Sequence, residues 1–419
     1  MYIDNILKNN ERMVEITMEL HQKGEIPVNS WVINLDQVAK NAKALSSSAK
    51  KNGLSTYLMS KQHNRNPYIN ALAIKMGLNK IVAVDFQGAL ACRDYNIPLG
   101  HVGHLNQIPK HLIEEVLKLK PEVFTVYNIE HALWIDLCCK KLGYKQDILI
   151  RVYNNEDYVF DGQEGGFHVD EIETFINQIS GLKNINIVGV TAFPCLNYNN
   201  TAQEKITPTS NIGAVNRALE ILKNSNIDIK QVNMPGNTSS SEMEILKKLG
   251  ATHVEPGNAV IGTSPSHAFY QDLAESTAIL YLSEISHKYK DRYYAYGGGC
   301  YHTNYSDKMF TFVGSKWAET KKQGMVLYNH SIVQDIDYHM QLIPNKNQKI
   351  EIGDSVIGAY RTQMHMTRSY QVAISGISGE RPLKVHYILD NGRNPLNSRL
   401  QPVKHIDVIN DIDKLLESY

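Results

Sequence analysis

Thr56-Tyr57-Leu58-Met59-Ser60-Lys61 is a short β-rich run that ends on a lysine, with Gly53 before it and the polar stretch Gln62-His63-Asn64 after it. Such a run, closed off by turn-forming residues, predicts a buried strand over 56–60 with its last residue facing a loop. The same pattern recurs downstream at 81–85, 101–105, 123–127, 148–153, 185–191, 229–234 and 252–255. Between these runs lie segments whose apolar residues repeat near the 3.6-residue helical period: 67–77, 87–95, 109–118, 130–142, 171–179, 211–223 and 241–249. In 211–223 the set Ile212, Val215, Ala218, Leu219 and Leu222 falls on one face. Pro67 and Pro109 stand where a first-turn proline is tolerated, and Ser240 with Glu242 forms a cap signal. Strict alternation of strand and helix implies parallel strands joined by right-handed crossovers. Eight such units predict an α/β fold, a (β/α)8 TIM barrel. A doubly wound open sheet is the competitor, but no G-x-G-x-x-G follows the first strand.

Beyond Ser264 the alternation stops. Strand patterns at 276–286, 308–313, 349–359, 370–375 and 384–389 arrive with few helical segments between them, which predicts a mostly antiparallel β domain. The expected organisation is a helical lead-in over 1–26, a barrel over 27–270 and a β domain over 271–419. Lys plus Arg and Asp plus Glu are each 43, so the formal net charge is zero, which argues against nucleic acid bound through bulk charge. No apolar stretch approaches the roughly 20 residues of a membrane-spanning helix. The N-terminus mixes charges and has no signal-peptide core. Five cysteines without CxxC spacing suit reduced thiols, so a cytoplasmic protein with no membrane partner is expected.

In a (β/α)8 barrel the chemistry sits at the C-terminal ends of the strands. Lys61 follows the first strand, where desolvation would lower its pKa and make it a Schiff-base nucleophile; the alternative is a strand-end lysine reaching to solvent. Pro235-Gly236-Asn237-Thr238-Ser239-Ser240 follows the seventh strand, and Glu255-Pro256-Gly257-Asn258-Ala259 the eighth. Both supply free backbone N–H groups, and the first leads into a helix with small hydroxyls, which are the ingredients of a phosphate cradle. Either loop alone is an ordinary turn. A barrel, a strand-one lysine and a phosphate site after strands seven and eight together suggest pyridoxal 5'-phosphate (PLP). His101 and His104 are read as core or rim histidines.

On these motifs the chain resembles the fold-type III PLP enzymes: alanine racemase, ornithine racemase, eukaryotic-type ornithine decarboxylase, D-threonine aldolase and D-serine dehydratase. Ser60-Lys61 is similar to the strand-one lysine that holds PLP as an internal aldimine in that family. Gln163 to Phe167 is similar to its glycine-phenylalanine segment, and Thr191 to Cys195 with Pro208-Thr209 to the strand-six loop of ornithine racemases. Met234 to Ser240 resembles the glycine-asparagine-serine phosphate loop, and Val254 to Gly262 the strand-eight motif. The resemblance implies that Asn237, Thr238, Ser239, Gly257 and Asn258 bind the cofactor phosphate, with Lys61 and Glu255 at its ring. There are departures. Alanine racemase places an arginine against the pyridine nitrogen; here stands Glu255, as in the decarboxylases, although a solvated or lysine-paired carboxylate is the alternative. The strand-six histidine has no counterpart, since Ala192 or Phe193 falls there.

In the second domain Tyr294-Ala295-Tyr296-Gly297-Gly298-Gly299-Cys300-Tyr301-His302 resembles the segment carrying alanine racemase's second acid/base; an ordinary hairpin is the alternative. Met364-His365-Met366-Thr367 resembles the metal pair of D-serine dehydratase and D-threonine aldolase, but Thr367 is a poor ligand, so no metal is expected. The resemblance therefore implies a PLP-dependent amino-acid racemase or epimerase. Lys61 serves one face of Cα and Tyr296 of a partner subunit the other, in a homodimer. Cys300, His302 and His365 are the rivals of Tyr296. A decarboxylase or lyase, and a PLP carrier without turnover, are the alternative functions.

Overall fold

The computed structural model describes residues 1–199, 206–300, 309–329 and 337–419. The chain divides into two compact units: Met1–Asn41 with Gln62–Leu72 and Val260–Tyr419, and Ala42–Lys61 with Ala73–Ala259.

The second of these is the barrel. Its eight parallel strands are Ser55–Met59, Lys80–Ala83, Leu99–Val102, Val123–Val126, Gln146–Tyr153, Ile185–Thr191, Gln231–Asn233 and His253–Val254. Each pairs with the next, and His253–Val254 pairs back onto Ser55–Met59, so the sheet closes. A short strand, Phe167–His168, adds to the end of the fifth. All eight expected strands are present, with ends displaced by up to three residues. The interior is filled by Tyr57, Met59, Val82, Val123, Leu149 and Val188 from alternate strand positions, which makes it a packed core rather than a pore.

The helices begin where their caps lie. Asp85 accepts from the Gly88 amide at 2.8 Å and Asn128 from the His131 amide at 3.0 Å, satisfying donors that the first helical turn leaves unpaired. The helix Asn211–Asn224 buries Ala214, Val215, Ala218, Ile221 and Leu222, so its stripe is rotated from the expected one toward Ala214 and Ile221. The cap expected at Ser240 is set one residue earlier, where Ser239 and Glu242 form a reciprocal capping box.

In the other unit the helices Tyr2–Asn9 and Glu11–Gln22 bury Ile3, Ile6, Met13 and Met18 against Leu280, Leu282, Ile357, Val372 and Ile374. Those five lie on an 11-stranded, mostly antiparallel sheet. Ser30–Asn34 joins this sheet, antiparallel to Ile279–Tyr289 and parallel to Tyr370–Ser375. Its five residues, polar Ser30 and Asn34 included, are all buried, and so short a run carries no mark of which sheet it will enter. Among the described residues no helix is long and apolar enough to cross a membrane.

Candidate active site

Glu255 follows the eighth barrel strand and is fully enclosed, with its carboxylate 1% exposed. Its Oε1 lies 2.6 Å from His101 Nδ1 and accepts from Asn233 Nδ2 at 2.8 Å. His101 is the last residue but one of the third strand and Asn233 ends the seventh, so the ends of three strands converge on one carboxylate oxygen. The other oxygen, Oε2, accepts no hydrogen bond among the described residues, and His104 Nε2 stands 3.5 Å from it. Burial alone would push this carboxyl up. The His104 and His101 rings and the donors from His101 and Asn233 outweigh burial and hold it down at about 2. Glu255 is therefore an ionised carboxylate inside the barrel.

His104 is enclosed as completely, and neither ring nitrogen finds a hydrogen-bond partner among the described residues. Burial pushes its pKa down to about 3; Glu255 opposes this, while His101, Arg151 and Lys61 add to it, so the ring is neutral near pH 7. Its edge meets the Phe193 ring at 5.5 Å and 89°. Phe193 thus borders the site from the strand-six position at which Ala192 or Phe193 was expected. Arg151, from the fifth strand, is 3% exposed. It donates to the Tyr127 hydroxyl and, at 2.6 Å, to the Gln163 carbonyl, with its guanidinium over the Tyr127 ring at 4.9 Å. A buried cation whose partners are a phenol and carbonyls remains open to an anionic oxygen.

Lys61 stands directly after the first strand, half-buried, and its charge acts on His104. The loop after the seventh strand makes a sharp turn at Gly236, with φ +127°, where an added Cβ would come 2.6 Å from the Leu196 carbonyl oxygen. Asn237 Nδ2 reaches the Asn197 side chain at 3.3 Å, and the Thr238 hydroxyl donates to the Gly236 carbonyl at 3.0 Å. The Ser239 amide donates to Glu242 at 2.8 Å, as does its hydroxyl. Gly257 and Asn258 lie in the loop after the eighth strand, whose Pro256 carbonyl accepts from the Met59 amide at 2.8 Å.

Other expected residues fall in the β unit. Tyr296 is the last residue of the strand Arg292–Tyr296 and is 43% exposed. Cys300 is buried, and burial pushes its thiol up. His365 is half-buried in a short turn, Met364–Met366. His302 lies outside the described residues.

His101, Asn233, Arg151 and Thr125 were not singled out as site residues by their sequence. The available signal was a polar residue within or just after an otherwise apolar barrel strand, where a side chain of that parity points inward.

A model of the alanine racemase N-terminal domain matches residues 33–265, and one of the YhfX-like C-terminal domain matches residues 280–383. The uncharacterized protein YhfX of Escherichia coli strain K12 is 33% identical over 384 residues, covering 91% of this chain and 96% of that protein. D-threonine aldolase from Filomicrobium marinum superposes with a TM-score of 0.63 at 13% identity, over 88% of this chain and 96% of that one. Alanine racemase from Clostridium difficile 630, in complex with cycloserine, gives 0.62 at 17% identity, over 86% and 98%. Diaminopimelate decarboxylase from M. jannaschii, in co-complex with L-lysine, gives 0.59 at 14% identity, over 91% and 92%. At these identities the solved structures speak to the fold.

Proposed function

We propose that this chain, which belongs to the alanine racemase N-terminal domain family of fold-type III PLP-dependent enzymes, acts at the Cα of an amino acid as a racemase or epimerase. Members of the family use PLP. The residues present suit that group. A buried, ionised Glu255 with one oxygen accepting nothing is the acceptor a protonated ring nitrogen requires. This orphaned oxygen is the observation that carries the cofactor assignment, on which both readings of the reaction below rest.

When bound, PLP supplies a conjugated ring that takes up the electron pair released at Cα. Lys61 would hold the cofactor through its amine and Glu255 its ring nitrogen. Asn237, Thr238, Gly257 and Asn258 would hold the phosphate, with Ser239, committed to Glu242, capping the helix beside it. Displaced by the substrate amine, the Lys61 amine would take the Cα proton from one face. Tyr296 of a second copy would return a proton to the other face, which makes the working form a homodimer. Its exposure at a strand end suits a group that meets another subunit, whereas a buried thiol held protonated, as Cys300 is, suits that role poorly.

A second reading, decarboxylase or lyase, is favoured by Glu255 itself. A carboxylate at the ring nitrogen favours its protonated form and a stronger electron sink, which C–C cleavage exploits. The test is incubation of the holoenzyme with L- and D-amino acids in deuterated water, followed by proton NMR and chiral analysis. Cα deuteration with inversion is expected. Loss of CO2 or release of an aldehyde would move the assignment to the second reading, and no exchange with any substrate would leave a carrier.

A further inference from the structure

The third barrel strand brings His101 beneath the site, and donor counting settles what its Nδ1 does there. His101 is fully buried, with Nδ1 2.6 Å from Glu255 Oε1 and Nε2 2.6 Å from Thr125 Oγ1. An ionised carboxylate only accepts, so Nδ1 carries the proton and donates to Oε1. Nε2 is held in turn by the Thr125 hydroxyl, which can donate to it or accept from it. With Asn233 donating at 2.8 Å, Oε1 receives two donors and Oε2 none. We infer that His101 is a positioning residue for the cofactor: pinned by Thr125, its Nδ1–H fixes Glu255 Oε1 and so presents Oε2 to the ring nitrogen. This rests on the reading of Glu255 as the partner of that nitrogen.

The other groups facing Glu255 do not substitute for His101. Burial raises the phenols of Tyr57 and Tyr127 and the thiol of Cys195 and lowers His253, so all four are uncharged near pH 7. His104 is neutral and stands at Oε2, not Oε1. The cations Arg151 and Lys61 act on His104. Without His101, a desolvated carboxylate would keep one donor, Asn233, and would gain a proton more easily or turn away from the ring. The ligating atoms of His101, His104 and Glu255 also lie within 4.8 Å of one another, the spacing of a metal site. Both nitrogens of His101 are, however, already engaged within the protein.

The experiment compares the holoenzyme with His101→Leu, His101→Gln and Glu255→Gln by visible absorption against pH, cofactor content after borohydride reduction, Cα deuterium exchange and metal analysis. His101→Leu should keep cofactor on Lys61, displace the pH transition of its visible band in the same direction as Glu255→Gln, and slow exchange about 10- to 100-fold, the scale of losing an orienting partner. His101→Gln, whose amide can still donate to Oε1, should recover most of both. Should the leucine variant fail to fold, Thr125→Val, which frees Nε2, should displace the band the same way by less. A wild-type band in His101→Leu or, failing it, in Thr125→Val, beside a displaced one in Glu255→Gln, overturns the inference and leaves the reading of Glu255 intact. An unchanged band in Glu255→Gln overturns that reading itself. One tightly held transition metal per chain, lost on mutation of His101, would replace the inference with a metal site.

Discussion

Two buried carboxylates, Glu255 in the barrel and Asp411 in the β unit, each pair with a histidine, yet their surroundings differ in one decisive way. Asp411 Oδ2 is 2.8 Å from His386 Nδ1 and accepts from the Tyr68 hydroxyl at 2.8 Å, while Oδ1 accepts from Lys384. His386 Nε2 lies 3.0 Å from the Ser375 hydroxyl. Serine, histidine and aspartate in that order invite comparison with a nucleophile triad, but every polar atom is spent and the groups are buried. Around Glu255, by contrast, Oε2 and both nitrogens of His104 lack a hydrogen-bond partner among the described residues. Buried polar atoms left without partners cost stability, about 1–3 kcal/mol each. A ligand that supplies the missing partners would recover that cost. The satisfied network fastens the helix His405–Glu417; the unsatisfied one is where chemistry is expected.

The difference can be broken most directly at Lys61. Lys61→Ala should abolish the cofactor's visible band altogether, and a borohydride-reducible chromophore surviving on another lysine would remove the barrel mouth from the mechanism. The complementary change is Asp411→Ala, which strands His386 and Lys384. It should cost roughly 1–3 kcal/mol in urea unfolding while leaving the band at Lys61 unaltered, the figure usual for leaving buried hydrogen-bonding groups without a partner. Burial pushes Asp411 up, but the bonds from His386 and Lys384 outweigh it and hold it well below the ordinary carboxylate range. Its contribution is therefore present above the unfolded value of about 3.9 and is lost as pH falls below it. A loss of the band in Asp411→Ala at full folding would erase the distinction drawn between the two networks.

Tyr296→Phe sharpens the comparison from the catalytic side. It should slow racemisation about 10²-fold with PLP still bound, and undiminished turnover would pass the role to His302 or His365. The smallest effect belongs to His104. Because its folded pKa is lowered from 6.5 to about 3, the unfolded chain takes up a proton that the fold refuses, and stability falls as pH drops below 6.5. In His104→Leu that loss should be smaller by ~1.4 kcal/mol per pH unit between about pH 6 and 4, read from urea midpoints. An unchanged slope would mean that His104 is protonated in the fold.

Much of this is legible in the sequence. Apolar runs spaced by helical periods announced the eight barrel strands, because strand and helix leave different periodicities on a chain. Lys61 and Glu255 stood out as charged residues at strand ends. The strand Ser30–Asn34 was not legible, since its partners Ile279–Tyr289 and Tyr370–Ser375 lie more than two hundred residues away. Nor was the role of Ser239, whose amide and hydroxyl are taken by Glu242, because a capping box and a phosphate loop call for the same small hydroxyl residues.

The amino-acid sequence by itself determined a parallel barrel followed by a β-rich region, with a lysine after the first strand and a carboxylate after the eighth. Local pattern is enough for that, since it records which faces of each segment avoid water. Only the tertiary structure decided that His101 meets Glu255 across 154 residues of chain, that Asn233 shares the same oxygen and that Oε2 is left over. Periodicity states that a polar side chain is buried. Which donor reaches which acceptor depends on closing the barrel to a particular register, a property of all eight strands together.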